Sequence, residues 1–193
     1  QVISPEAEIN EAINSAAEYL LRQLDCKSRR ARDKYEYYDA DNDIRDFGIS
    51  VPKKMMDSKP GIGWASRAVN TLSDRLNFDG FAGDEFGIND LFENIGASPV
   101  INAARHDSII AGCAFVAIAD EVGGGKKLIP FTALEATGIV DENTGLLSMG
   151  LAVTRWSLPN PRKRNYLAVP VDYILFLPQF TAVFRDNTLC DIR

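Results

Sequence analysis

The sequence predicts an α+β fold, with N-terminal helices followed by a mainly antiparallel, strand-rich half. Three observations predict it. Apolar residues recur at helical spacing as far as about Ala111. Beyond Gly112 the pattern changes to short runs rich in Val, Ile and Phe, separated by turns bearing Gly, Asn and Asp. Helices grouped before strands favour α+β over alternating βαβ units.

The elements follow in order. Ser4-Pro5-Glu6 is a helix start: a capping hydroxyl, a proline whose missing N–H costs nothing there, and an acid at the positive end of the dipole. Ile9, Ile13, Ala17, Leu20, Leu21 and Leu24 then mark one face of a helix that continues through the basic segment Lys27–Lys34. Cations suit the C-terminal end of a helix, so this segment reads as a solvated helix end. Tyr35, Tyr37 and Tyr38 lead into the acidic turn Asp39–Asp43. Residues 43–61 read as an extended arm or loop, because Val51-Pro52 and Lys59-Pro60-Gly61 favour extended and turn backbone. A connection of this length suits a segment that packs on a neighbour or moves.

A second helix is predicted over Ile62–Asn77, with Ala65, Ala68, Val69, Leu72 and Leu76 inward and Ser66, Arg67, Asn70, Ser73 and Asp74 outward. Ile88, Leu91, Phe92 and Ile95 fit a short third helix. Ser98-Pro99 repeats the cap-plus-proline start, and the fourth helix runs to Ala111 and closes at Gly112. Strands are predicted at Cys113–Ala119 and Lys127–Thr132, the second placed at an edge by Pro130, with Val122–Lys126 as the turn between them. Ile139-Val140 and Leu146–Trp156 form a hairpin around Asp141–Gly145, and Tyr166–Leu177 and Phe180–Arg185 supply further strands. The chain divides into an N-terminal helix and acidic turn (1–42), the arm (43–61), and an α+β domain (62–193).

The composition narrows the function. The chain has 193 residues, 46% of them hydrophobic and 25% charged, which suits a soluble globular protein with a real core. A formal charge of -6 argues against a free-standing nucleic-acid-binding module. Cys26, Cys113 and Cys190 are odd in number and far apart, which argues against a disulfide framework or zinc site and for a reducing cytoplasm. The longest apolar run, Ile109–Ala119, falls well short of a membrane span of about 20 residues. Glu6, Glu8 and Glu11 stand where a signal peptide would carry cations. Gln1 is not an initiator methionine, so the sequence is expected to be processed or part of a longer protein.

No catalytic constellation emerges from the motifs. Asp39, Asp41 and Asp43 have the opening spacing of a calcium loop, but Ile44 holds the sharp-turn glycine position and Ser50 the closing glutamate position. Gly123-Gly124-Gly125-Lys126 lacks the first glycine of a P-loop, where Asp120 stands, and has Lys127 in place of Ser or Thr. Gly61-x-Gly63 has no third glycine, Ser66 holding that position. His106, Asp107 and Ser108 are triad residue types, yet adjacent helical positions point apart, so His106 reads as an inter-helix hydrogen-bonding residue. Arg162, Lys163 and Arg164 read by default as an exposed basic loop tip, contact with nucleic acid or an acidic partner being the weaker alternative. No cofactor or metal is expected.

Four segments together resemble the N-terminal part of tailed-bacteriophage portal proteins of the siphophage type. They are Tyr37-Tyr38-Asp39-Ala40-Asp41, where the family often carries glycine at the Ala40 position; Trp64 to Phe81, containing Trp64, Arg67, Leu72, Arg75, Leu76, Gly80 and Phe81; His106-Asp107 through Gly112 to Val116; and Ile139 to Gly145. The resemblance implies the wing region of a portal subunit, a fragment that ends before the stem and clip. It further implies a structural, non-enzymatic role in a dodecameric ring at one capsid vertex, through which DNA is packaged and ejected. The implied partners are other copies of the chain, terminase, capsid and head–tail adaptor proteins, and duplex DNA passing without sequence-specific binding; no membrane is involved. The implied location is the virion, assembled in the bacterial host cytoplasm. Two alternatives stand beside it: a metal-dependent nucleotide or nucleic-acid enzyme using Asp39, Asp41 and Asp141, and a non-viral protein-binding adaptor.

Overall fold

The computed structural model describes residues 5–41, 63–120, 124–157 and 168–193. The predicted arm at 43–61 and the basic tip Arg162–Arg164 lie outside them. The fold is α+β: a long N-terminal helix, three shorter helices, then strands. The helices are α1 (Pro5–Tyr38), α2 (Trp64–Asp74), α3 (Ile88–Asn94) and α4 (Ala97–Ala111). The strands are β1 (Ala114–Asp120), β2 (Lys126–Thr132), β3 (Ala136–Val140), β4 (Leu147–Trp156), β5 (Pro170–Phe176), β6 (Thr181–Arg185) and β7 (Thr188–Ile192). They fall into two compact units, one of Gln1–Arg29 with Phe131–Arg193, the other of Arg30–Pro130. The sequence reading divides the chain differently, at 42 and 61.

In the first unit the strands form an antiparallel meander in the order β3-β4-β5-β6-β7. The helical residues Ile13, Ala17, Leu20 and Leu24 lie on one stripe and are nearly or fully buried. They pack on the sheet residues Leu151, Val153, Tyr173, Leu175, Ala182 and Phe184. These alternate along their strands, as one buried sheet face requires. Tyr173 and Phe184 are register partners whose rings stack at 4.6 Å, and burial pushes the Tyr173 phenol up. Ile9 departs from the expected stripe and is half exposed.

The β6–β7 hairpin was not predicted. Asp186 and Asn187 have φ of 49° and 59°, the paired left-handed residues of a primed two-residue turn. Arg155 braces it with bonds from Nε to Asp172 Oδ2 at 2.7 Å and from its terminal nitrogen to Asp172 Oδ1 at 2.9 Å and Asp186 Oδ1 at 2.7 Å. The guanidinium and the Asp186 N–H hold the Asp172 carboxyl down at about 2.

In the second unit α2 and α3 pack on α4, and α4 leads directly into β1. The β1–β2 pair is a separate two-stranded sheet, so Pro130 sits on an edge as expected. The start of α4 differs from the expectation. Gly96, at φ 62°, holds the N-cap position and Ser98 falls inside the first turn without capping. Pro99 is still tolerated there, because the first-turn N–H groups have no partner within the helix.

Candidate functional site

Most of the residues singled out from the sequence lie in the second unit, and the geometry around His106 is that of a joint between helices. The C-terminal end of α1 meets α4 through three side chains. Lys34 Nζ donates to the Ala111 carbonyl at 2.7 Å, a terminal carbonyl that the helix itself leaves unpaired. Tyr35 donates to Asp107 Oδ1 at 3.2 Å. The Tyr38 hydroxyl lies 3.3 Å from His106 Nε2 and donates to Asn70 Oδ1 of α2 at 3.0 Å. His106 Nε2 is 3.1 Å from the same oxygen. The Tyr38 and His106 rings meet edge to face at 5.4 Å.

One triangle therefore ties α1, α2 and α4 together. Ser108 Oγ donates to the Arg105 carbonyl and takes no part in it. His106, Asp107 and Ser108 each face a different partner, so these three form no nucleophile–base relay. Gly112, at φ 93°, closes α4 by donating its N–H to the Ser108 carbonyl at 2.8 Å.

The α1 terminus is built the same way. Asp41 N–H bonds to the Glu36 carbonyl at 2.9 Å and Ala40 N–H to the Tyr37 carbonyl at 3.3 Å, the two bonds of a Schellman close. Ala40, at φ 55°, occupies the left-handed position that glycine normally fills.

Helix α2 is rotated relative to the expectation. Ser73 is buried, Ala65, Ser66 and Val69 are half-buried, whereas Ala68 and Leu72 face outward; Leu76, just past the helix, is also exposed. The contacts there are polar. Asn70, itself exposed, bonds to Tyr38 and His106 at the rim of the joint, and Arg105 of α4 donates to the main-chain carbonyl of Ser73 at 3.2 Å; these bonds accompany the inward turn of Ser66 and Ser73. Trp64 is left 82% exposed. Among the described residues, Trp64, Arg67, Ala68, Thr71, Leu72 and Arg75 line an open groove of about 600 Å³.

After α2 the chain turns at Gly80, whose φ is 103°. Asn89 of α3 clamps Phe81 on both sides, accepting from its N–H at 2.8 Å and donating to its carbonyl at 3.0 Å. The rings of Phe78, Phe81 and Phe92 cluster with centroids 5.1 to 6.1 Å apart. The turn from Asp141 to Gly145, in the first unit, is closed by Gly145 N–H on the Asp141 carbonyl at 2.8 Å, with Gly145 at φ 68°. The Asp141 carboxylate accepts from Asn143 N–H, which holds its pKa down.

Among the described residues no group of three or more His, Cys, Asp or Glu side chains is placed to hold a metal ion. Asp43, part of the calcium-loop spacing, lies outside them. All three cysteines are exposed free thiols. Among the described residues no helix is long and apolar enough to cross a membrane. Sequence reasoning missed Asn70, Asn89 and Lys34, which carry the joints. Polar residues on a helix surface give no periodic signal of the partner they will meet. No protein-family model matches the chain, and no curated protein matches it.

Proposed function

We propose that the chain is the wing region of a bacteriophage portal subunit, a structural part of the ring that conducts DNA into and out of the capsid. The observation that supports this best is the convergence of the resembling segments. Tyr38, Asn70 and His106 come from three of the four segments and meet in one hydrogen-bonded triangle. Each of the four segments also contains a left-handed residue that closes or turns the chain: Ala40, Gly80, Gly112 and Gly145. Motif residues spent on ending and joining elements preserve a shape, which suits a structural subunit better than an enzyme.

A closed ring needs two different faces on each subunit, and an acidic chain lines a conduit without gripping the phosphate backbone. Terminase, capsid and tail adaptors are then its protein partners. Negative-stain electron microscopy of the full-length gene product tests the reading: closed rings of uniform diameter are expected. Monomers alone at every concentration would overturn it. Salt-sensitive, tight duplex binding by the purified chain would overturn the conduit role.

A further inference from the structure

The stretch from Leu76 to Ala104 contains no Lys or Arg and carries Asp79, Asp84, Glu85, Asp90 and Glu93. All but Asp84 are exposed, and none of the five is ion-paired among the described residues. Set among these carboxylates is an apolar patch. Phe86 is 88% exposed, and Leu91, Phe81 and Phe78 are between 37% and 47% exposed. A large aromatic held in water is unfavourable unless something covers it, and a patch of this kind marks an interaction surface.

The patch is also rigidly built. The Asp84 carboxylate accepts from the N–H groups of Phe86, Ile88 and Asn89 at 3.3, 2.8 and 2.6 Å, fixing the loop on either side of Gly87. Asn89 pins Phe81, and the three packed rings brace the floor. The backbone that carries Phe86 is therefore held in place, so little main-chain ordering remains to be lost on binding.

We propose that this surface docks a positively charged amphipathic segment of a partner protein, with Phe86 as the central anchor. Charge complementarity selects the occupant. A surface rich in carboxylates with no ion-pair partner among the described residues repels nucleic acid and acidic peptides and steers Lys- or Arg-bearing ones. A second copy of this chain is the poorer fit. It carries a net charge of -6, and Lys27, Arg29 and Lys34 of its basic helical segment already bond within their own chain. The proposal does not depend on the ring reading.

The test uses two fluorescent helical peptides with the same leucine pattern, one carrying Lys and the other Glu at every polar position. Their binding to the chain is followed by anisotropy at low and high salt. The Lys peptide is expected to bind, and Phe86→Ala to weaken it ten-fold or more at both salt concentrations. The Glu85→Lys/Asp90→Lys pair should weaken it at low salt, where surface charges are least screened. Equal charge reversal at Glu8 and Glu11 of α1 should leave binding unchanged. Unaltered thermal unfolding of the Phe86→Ala chain shows that the fold is kept, as the exposure of the ring implies. The proposal is overturned by no binding of the Lys peptide, equal binding of the Glu peptide, indifference to Phe86→Ala, or as large a loss from the α1 reversal. Concentration-dependent self-association abolished by Phe86→Ala overturns it in favour of a second copy.

Discussion

Ala40 shows how a single side chain exposes the backbone requirement beneath a motif. Its φ of 55° brings Cβ toward the carbonyl oxygen, a conformation that costs an L-residue about 1 kcal/mol or more and glycine almost nothing. Ala40→Gly is therefore expected to stabilise the chain by about 1 kcal/mol, read as a higher urea midpoint with an unchanged m-value. Asp172 makes a pH prediction. Its carboxyl is held at about 2 when folded, against 3.8 as its ordinary value. The unfolded chain thus binds more protons between those values. The contribution is fully present above about pH 4 and fades as pH falls toward 2. Urea midpoints measured from pH 5 to pH 2 should drop more steeply for the native chain than for Asp172→Asn; parallel curves would refute the assignment. Asp172 is not legible from sequence in this role, and Ala40 only through the glycine that the resembling segments carry there. Ala40 by itself looks like any turn residue, and Asp172 depends on strand register bringing Arg155 and Asp186 beside it.

At the level of elements, helices and strands were legible where burial follows periodicity. The stripe Ile13, Ala17, Leu20 and Leu24 is regular enough to be read directly, and the alternation in β5 and β6 equally so. The prediction failed where polar bonds outweigh apolar pattern. In α2, Ala68 and Leu72 look like core residues, but Asn70 and Ser73 have partners on α1 and α4, and the helix is turned the other way. The strand β7 was missed because Asp186-Asn187 lacks glycine, although both residues tolerate positive φ better than most. The turn between α2 and α3 offers a sharp test. A Cβ on Gly80 would stand 2.7 Å from Asn89 Oδ1, and the residue's φ is 103°. Moving Asn89 aside would break both of its bonds to Phe81. Gly80→Ala is expected to cost about 1–3 kcal/mol and to remove hydrogen-exchange protection at the Phe81 amide. Combined with Asn89→Ala the losses should fall short of additive, since both changes remove the same clamp.

On the scale of the molecule, the division into units changes what counts as a foldable piece. The meander β3–β7 has its buried face covered by residues from the first half of α1, more than a hundred positions earlier in sequence. Residues 131–193 alone should therefore form no cooperative fold, showing a broad thermal transition and binding of an apolar dye. A synthetic peptide of residues 1–29 should restore a sharp transition. A sharp transition without the peptide would show that the sheet needs no helix. Boundaries at 42 and 61 follow composition along the chain, whereas the packing of α1 on the sheet joins segments far apart in sequence.

That arrangement has a consequence for synthesis. The apolar stripe of α1 leaves the ribosome before any of the strands that will cover it have been made. At about 5–20 residues per second, it waits on the order of ten seconds for β4 to β6 to appear. During that interval Arg30–Pro130 is complete enough to fold, while Ile13, Leu20 and Leu24 remain bare. The nascent chain is thus exposed to aggregation and to chaperone capture along this stripe, and codon changes that slow translation between residues 30 and 146 are expected to lower soluble yield without altering the protein made.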